Sequence, residues 1–146
     1  MSTVTEEIYQ ACVSRWQALA LPGGARVFDR TRVAAFLRDN MPCVRVREGA
    51  DLRVGPQSDD VDERELTLMA EVFLHGETQD ALADPIRQAL ARALWEEPML
   101  GGLCHWISTA DRPAPLSAEA DGLQQQIVQH FRVRYLVKDS DLSRPD

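Results

Sequence analysis

The sequence predicts an α+β domain in which two main helices pack against a mostly antiparallel β-sheet. Apolar residues recur at helical spacing over residues 3–20 and 79–97, and they alternate with polar residues over 65–74 and 124–137. Short connections between neighbouring strands favour antiparallel pairing. No internal repeat or domain boundary divides the 146 residues, so residues 1–146 are expected to fold as a single domain.

The first predicted helix has a threonine at its start, and either Thr3 or Thr5 can cap it. Glu6 and Glu7 in its first turn suit the helix dipole. The turn sequence at residues 21–24 ends it. Its apolar stripe, which should face the core, consists of Val4, Ile8, Ala11, Cys12, Trp16 and Leu19.

The second predicted helix contains an i, i+4 ridge of apolar residues and a proline near its start. Either Asp84 is the N-cap and Pro85 the first helical residue, or an earlier turn bends at Pro85. The ridge that should pack against the sheet consists of Leu82, Ile86, Leu90 and Leu94.

Three stretches lack the pattern of a regular element. Residues 48–64 are broken by glycine and proline and loaded with acidic residues, which predicts a long mobile hairpin loop that includes at most a short strand at 52–54. Residues 110–121 are predicted to be loop, and residues 138–146 are predicted to be a frayed tail.

Composition and charge exclude some classes of partner. The net charge is −7, whereas nucleic-acid binding needs concentrated lysine and arginine, so nucleic-acid recognition is not expected. No apolar run approaches the ~20 residues of a membrane span. Only one of the 16 basic residues, Lys138, is a lysine. Arginine pairs better with carboxylates across an interface, although an arginine-rich coding bias explains the same count.

A search for catalytic or ligand-binding chemistry finds no pattern that supports it. Cys104 and His105 are adjacent in a predicted strand, so their side chains should point to opposite faces. The acidic run at 59–63 lacks the residue order of a calcium loop. The sequence therefore predicts no catalytic residue, no cofactor and no metal. The cysteines and histidines without zinc-site spacing are Cys43, His75, Cys104, His105 and His130.

The order of sequence features over residues 3–137 resembles the minor tail protein U-like tail terminators of long-tailed bacteriophages, a family related to tail-completion and head–tail joining proteins. The features are an N-terminal helix, the proline-led strand MPCVRVRE, a polar stretch, and the alternating strand ELTLMAEVFLHG. A helix leading into PMLGGL and the final strand IVQHFRVRYLV follow. Each feature is common by itself, and their order carries the resemblance.

The resemblance implies a non-enzymatic structural protein of the virion. Members form a ring, commonly a hexamer, that caps the tail tube and then presents a surface to the head. The implied partners are further copies of this chain, the tail tube protein and the head–tail connector protein. The implied location is the head-proximal end of the virion tail, with assembly in the cytoplasm of the bacterial host.

A ring requires complementary patches on each subunit, which oppositely charged strand faces and loops can supply. The predicted contacts with neighbouring subunits or the tail tube fall into two groups. The positive candidates are Arg45, Arg47, Arg132 and Arg134, and the negative candidates are Asp59, Asp60, Asp62 and Glu63.

Three alternatives to the terminator remain open at this point. The first is a head–tail connector or tail-completion protein of the same fold, and the second is a monomeric assembly adaptor or chaperone. The third is a small enzyme that uses Cys104 or a histidine cluster. The mass in solution separates the first two, and thiol reactivity and metal content test the third.

Overall fold

The computed structural model describes residues 3–33, 37–58, 60–76, 79, 81–109, 116–118, 124–138 and 141–145. Within them lie two α-helices, α1 (Val4–Gln17) and α2 (Ala83–Glu96). The strands are β1 (Arg26–Phe28), β2 (Cys43–Ser58), β3 (Val61–His75), β4 (Trp106–Thr109), β5 (Leu116–Ala118), β6 (Gln124–Lys138) and β7 (Asp141–Pro145).

The strands form one sheet in the order β1-β2-β3-β6-β4, and β5 and β7 also pair with β6. Only β1 and β2 run parallel, and the other described pairs are antiparallel. The three short strands β5, β4 and β7 follow one another along the outer side of β6. The predicted α+β class with a mostly antiparallel sheet is confirmed.

Helix α1 has one of the two predicted caps and most of the predicted stripe: four of its residues are buried, Ala11 is only half-buried, and Leu19 lies beyond the end of the helix. The Oγ1 of Thr3 accepts a hydrogen bond from the Glu6 amide at 3.2 Å, so Thr3 rather than Thr5 is the cap. Trp16, at the end of the stripe, donates its indole N–H to the carbonyl of Leu90 in α2 at 3.0 Å. Its ring also lies 5.3 Å from that of Phe131 in β6, so the two helices share one face of the sheet.

Helix α2 begins differently from either sequence alternative. Its first residue is Ala83, and Pro85 lies inside the first turn, where its missing N–H costs no intrahelical hydrogen bond. Asp84 is the second residue of the helix rather than its cap, and its carboxylate accepts from Arg87 at 2.7 Å. The ridge is confirmed at Ile86, Leu90 and Leu94, which are fully buried, whereas Leu82 is only partly buried.

The prediction of a loop over residues 48–64 is wrong. Strands β2 and β3 stay paired from Cys43 opposite Phe73 to Ser58 opposite Val61, so the predicted loop is the distal half of a long hairpin. The register shifts at three places along β2. These irregularities occur at Gly49–Ala50, Val54 and Gln57, and they accommodate residues that break the alternating pattern.

Charge pairs across this distal half explain why an acidic sequence can be a strand. Arg53 donates to Asp62 at 2.9 Å, and Arg64 donates to Asp51 at 3.3 Å. The hydroxyl of Tyr135 also donates to Asp51, at 2.8 Å. Opposite charges on neighbouring strands stabilise pairing, so acidic residues need not indicate a solvated loop.

Two other predicted irregular stretches contain strands. Residues 141–145 of the predicted frayed tail form β7, and residues 116–118 of the predicted loop form β5. Both strands pair with β6, whose outer edge would otherwise expose backbone donors and acceptors. The remainder of these two stretches, apart from Lys138 at the end of β6, lies outside the described residues.

The main hydrophobic core lies between the two helices and one face of the sheet. The alternation predicted for β3 and β6 places their apolar residues on this face, including the buried Leu68, Val72, Phe131 and Val133. A second, smaller cluster lies on the opposite face next to β1. It consists of Phe28, Leu37, Cys43 and Phe73, with Met41 packed against it.

A tyrosine hydroxyl marks the place where β1 stops pairing with β2. The buried Tyr9 donates to the Val46 carbonyl at 2.8 Å and accepts from the Arg30 amide at 2.7 Å. The ladder between β1 and β2 reaches only Phe28 opposite Arg45. Beyond Val46, no described strand pairs with the outer side of β2.

Hydrogen exchange tests the corrected hairpin. We expect the amides of residues 61–65 to exchange slowly, because β3 has strand neighbours on both sides there, and outward-facing amides of residues 48–58 to exchange faster. NMR or mass spectrometry of the exchanging protein measures both. Unprotected exchange throughout residues 48–64 would instead show the loop that the sequence suggested.

Candidate interaction surface on the open face of the sheet

The helices leave one side of the sheet uncovered, and we call its part on β2, β3, β6 and β4 the open face. Strand pairing arranges its side chains in rows across the sheet. One such row crosses all four strands and runs Leu52, Glu65, Arg134, Trp106. The other residues that define the open face are Arg45, Arg47, Glu63, Thr67, Met69, Glu71, Ser108, Val128, His130, Arg132 and Leu136.

A buried carboxylate, that of Glu71, joins three strands on this face. Its side chain is 1% exposed, and its Oε1 lies 2.8 Å from the Nε atoms of both Arg45 and Arg47 on β2. Its Oε2 accepts from Gln126 on β6 at 2.6 Å and from the second nitrogen of Arg45 at 3.3 Å. Because four donors surround one buried charge, the carboxylate is well compensated.

The four predicted arginines therefore share one face, and each has a carboxylate of its own chain. Arg45 is 12% exposed and lies over the Phe73 ring. On β6, the Nε of Arg134 is 3.0 Å and that of Arg132 is 3.7 Å from the carboxylate of Glu65. Arg134 also stacks on Trp106 at 4.9 Å.

The predicted acidic group does not form one patch. Asp62 is buried on the helix side of the sheet, where Arg53 donates to it. Glu63 points to the open face, with its Oε2 2.6 Å from the Nε2 of His105. Asp60 is exposed at the turn between β2 and β3, and Asp59 lies outside the described residues.

These contacts change what the charged candidates can do. Contact between the arginines and a neighbour remains a prediction, but such a contact would have to share or displace Glu65 or Glu71. The residues that sequence reasoning missed are these two glutamates and Trp106. The two glutamates lie on the polar side of the alternation in β3, and this pattern alone could have placed them on the same face as the arginines. Which arginine each glutamate contacts depends on the strand register, which the pattern does not give.

The cysteines lack the properties of a nucleophile in the native state. The Sγ of Cys104 is buried and donates to the Pro98 carbonyl at 3.3 Å, whereas His105 contacts Glu63. Burial raises the pKa of Cys104 and of Cys43 to about 11, and that of Cys12 to about 12. All three thiols therefore stay protonated at neutral pH.

A cleft of about 440 Å³ opens between α2 and strands β4 and β6. Arg87 lines the cleft, with two nitrogens 2.9 and 2.7 Å from the Oε1 of Gln129 and a third donating to Asp84. The guanidinium is thus engaged by its own chain. In the part of the chain that the structure describes, no three histidine, cysteine or acidic side chains are grouped as a metal site.

Comparison of the sequence with protein-family models and with curated proteins gives no match. None of the helices in the described ranges is both long and apolar enough to cross a bilayer.

Removal of the buried carboxylate tests its role in the sheet. We expect Glu71→Ala to lower the free energy of unfolding by about 3–5 kcal/mol, because it leaves Arg45 as a nearly buried charge without its main partner. Arg132→Ala is the matched control on the same face, and it should cost at most about 1 kcal/mol because Arg132 is 48% exposed and lies 3.7 Å from its carboxylate. Urea denaturation measures both, and equal losses would contradict the assigned role.

Thiol titration tests the exclusion of cysteine chemistry. At pH 8 the native protein should not react with Ellman's reagent, whereas all three cysteines should react in guanidinium. The thiol pKa values are higher in the folded protein than in the unfolded chain. Between pH 9 and pH 11 the unfolded thiols therefore ionise while the folded ones do not, so the free energy of unfolding should be constant below pH 9 and should fall as the pH rises toward 11. Replacing the cysteines with alanine should reduce this loss. A thiol that reacts rapidly in the native protein would favour the enzyme alternative.

Proposed function

We propose that this chain is a structural virion protein: a tail terminator that assembles into a ring, caps the tail tube and offers the surface to which the head joins. The observation that carries the proposal is the open face, a broad sheet surface whose charges are held by partners of the same chain. Such a surface can bind another macromolecule without any chemically reactive group.

The size of the open face suits docking to another protein. Residues 63–71 of β3 extend for about 30 Å, and the ~4.8 Å spacing from β2 through β3 to β6 covers about 10 Å across the sheet. Strand β4 widens the face only beside residues 131–134 of β6. The resulting area is about 350 Å², a little under half of the ~800 Å² that each partner contributes to a standard interface.

The composition of the open face also suits docking. It combines four arginines with Trp106 and Met69, residue types enriched in interfaces, and lysine is not among its defining residues. Because Glu65 and Glu71 already orient the arginine side chains, less side-chain entropy is lost when a partner binds.

A terminator needs surfaces for its neighbours in the ring and for the tube or head. The open face supplies a surface on one side of the sheet, and the sheet edges remain for contacts within the ring. The ordered features of the sequence support the same assignment, since they resemble the terminator family. A head–tail connector or tail-completion protein of the same fold would use these surfaces in the same way.

Electron microscopy of the purified protein with isolated tail tubes tests the proposal. We expect rings, in solution or at one end of the tubes, and light scattering should give a mass of several subunits when rings form. Met69→Glu places a charge at the centre of the open face and should weaken tube binding at least tenfold. Ser14→Glu, on the exposed side of α1, is the matched control and should bind normally.

Two results would count against this function. A chain that stays monomeric at high concentration and never associates with tubes would favour the adaptor alternative. Tube binding by Met69→Glu as tight as that of the unmodified chain would remove the open face from the tube contact.

A further inference from the structure

Six large apolar side chains are exposed in the described residues, and four of them are close in sequence, two on β2 and two at or just after the end of α2. Leu52 and Val54, 62% and 45% exposed, form what we call the β2 patch. Trp95 and Met99, 58% and 55% exposed, form the α2 patch. Pairs of large exposed apolar residues are candidates for contact with another protein surface.

The β2 patch lies at one edge of the sheet, and its Leu52 is also the end of the row that crosses the open face. Strand β1 covers only residues 43–45 of β2, so Leu52 and Val54 lie on a part of β2 without an outer strand neighbour in the described chain. The irregular register and Pro56 disrupt the outer backbone of this strand, which opposes addition of a regular strand. A partner at this edge would therefore contact side chains more than backbone.

The α2 patch lies at the opposite edge. Trp95 follows Gln88 and Ala91 on one stripe of α2, and those two residues line the cleft beside Thr109 of β4. Strand β4 is at the other end of the strand order from β1 and β2. Met99 follows Trp95 by four residues, just after α2 ends.

The charges beside the two patches are complementary. Glu96 ends α2, where negative charge is unfavourable with the helix dipole. Arg53 lies between Leu52 and Val54 in sequence, and its side chain is on the helix side of the sheet, opposite to Leu52 and on the side where α2 also lies. It donates to Asp62, and its side chain is 55% exposed, so its outer part can meet a second carboxylate.

We propose, on the basis of the proposed ring, that the β2 patch of one copy docks against the α2 patch of the next copy, with Arg53 facing Glu96. The proposed partner is a second copy of the chain, because each copy carries both surfaces of the contact: the β2 patch with Arg53 and the α2 patch with Glu96. The halves lie on opposite edges, so the contact is head to tail and repeats until a ring closes.

Disulfide trapping tests this contact, because the three native cysteines are buried. The chain carrying both L52C and M99C should give a ladder of covalent oligomers under mild oxidation. An equimolar mixture of the two single variants should stop at dimers, because each chain then has one half of the contact. L52C alone should remain monomeric, whereas a two-fold contact between β2 edges would make it dimerise.

V33C combined with M99C is the matched control, since Val33 is also exposed but lies outside both patches. It should give no ladder. Absence of a ladder from the L52C and M99C chain, or an equal ladder from the control, would overturn the contact. If rings still appear on tail tubes in that case, the proposed terminator function is kept, and the copies must meet through a different interface. If neither rings nor a ladder appear, both proposals are wrong.

Discussion

On the side of the sheet that no helix covers, buried charges must be paired by side chains of the sheet itself. In this protein Glu71 is the centre of that pairing. Its carboxylate binds Arg45 and Arg47 on one neighbouring strand and Gln126 on the other. A buried charge is tolerated only with such partners, so strand register and charge pairing support each other. The ordered charge pairs of the open face depend on this constraint.

This pairing assigns different roles to the charged and apolar parts of the surface. Charges that are already paired add orientation and specificity more than affinity. The four arginines are therefore better suited to fixing the shape of the open face than to attracting a neighbour over a distance. In the proposed ring, affinity between copies would come instead from exposed apolar residues at the two sheet edges, where Leu52 and Trp95 are the most exposed.

The sequence could predict elements whose periodicity is uninterrupted. The alternation over β3 and β6 and the ridge of α2 identified the core faces correctly, because each follows one period throughout. The distal part of β2 was missed because Gly49, Val54 and Pro56 interrupt its alternation, and only pairing with β3 makes it a strand. Likewise, the link between Glu71 and Arg45 depends on register, which residue patterns alone do not determine.

The salt dependence of self-association tests most directly whether apolar edges rather than charged faces join the copies. Sedimentation equilibrium in 50 and 500 mM sodium chloride would measure the dissociation constant between subunits. Because salt screens exposed charges but not apolar burial, we expect the constant to change by less than about threefold. Weakening by more than about tenfold at high salt would contradict this account and favour contacts made by the charged residues.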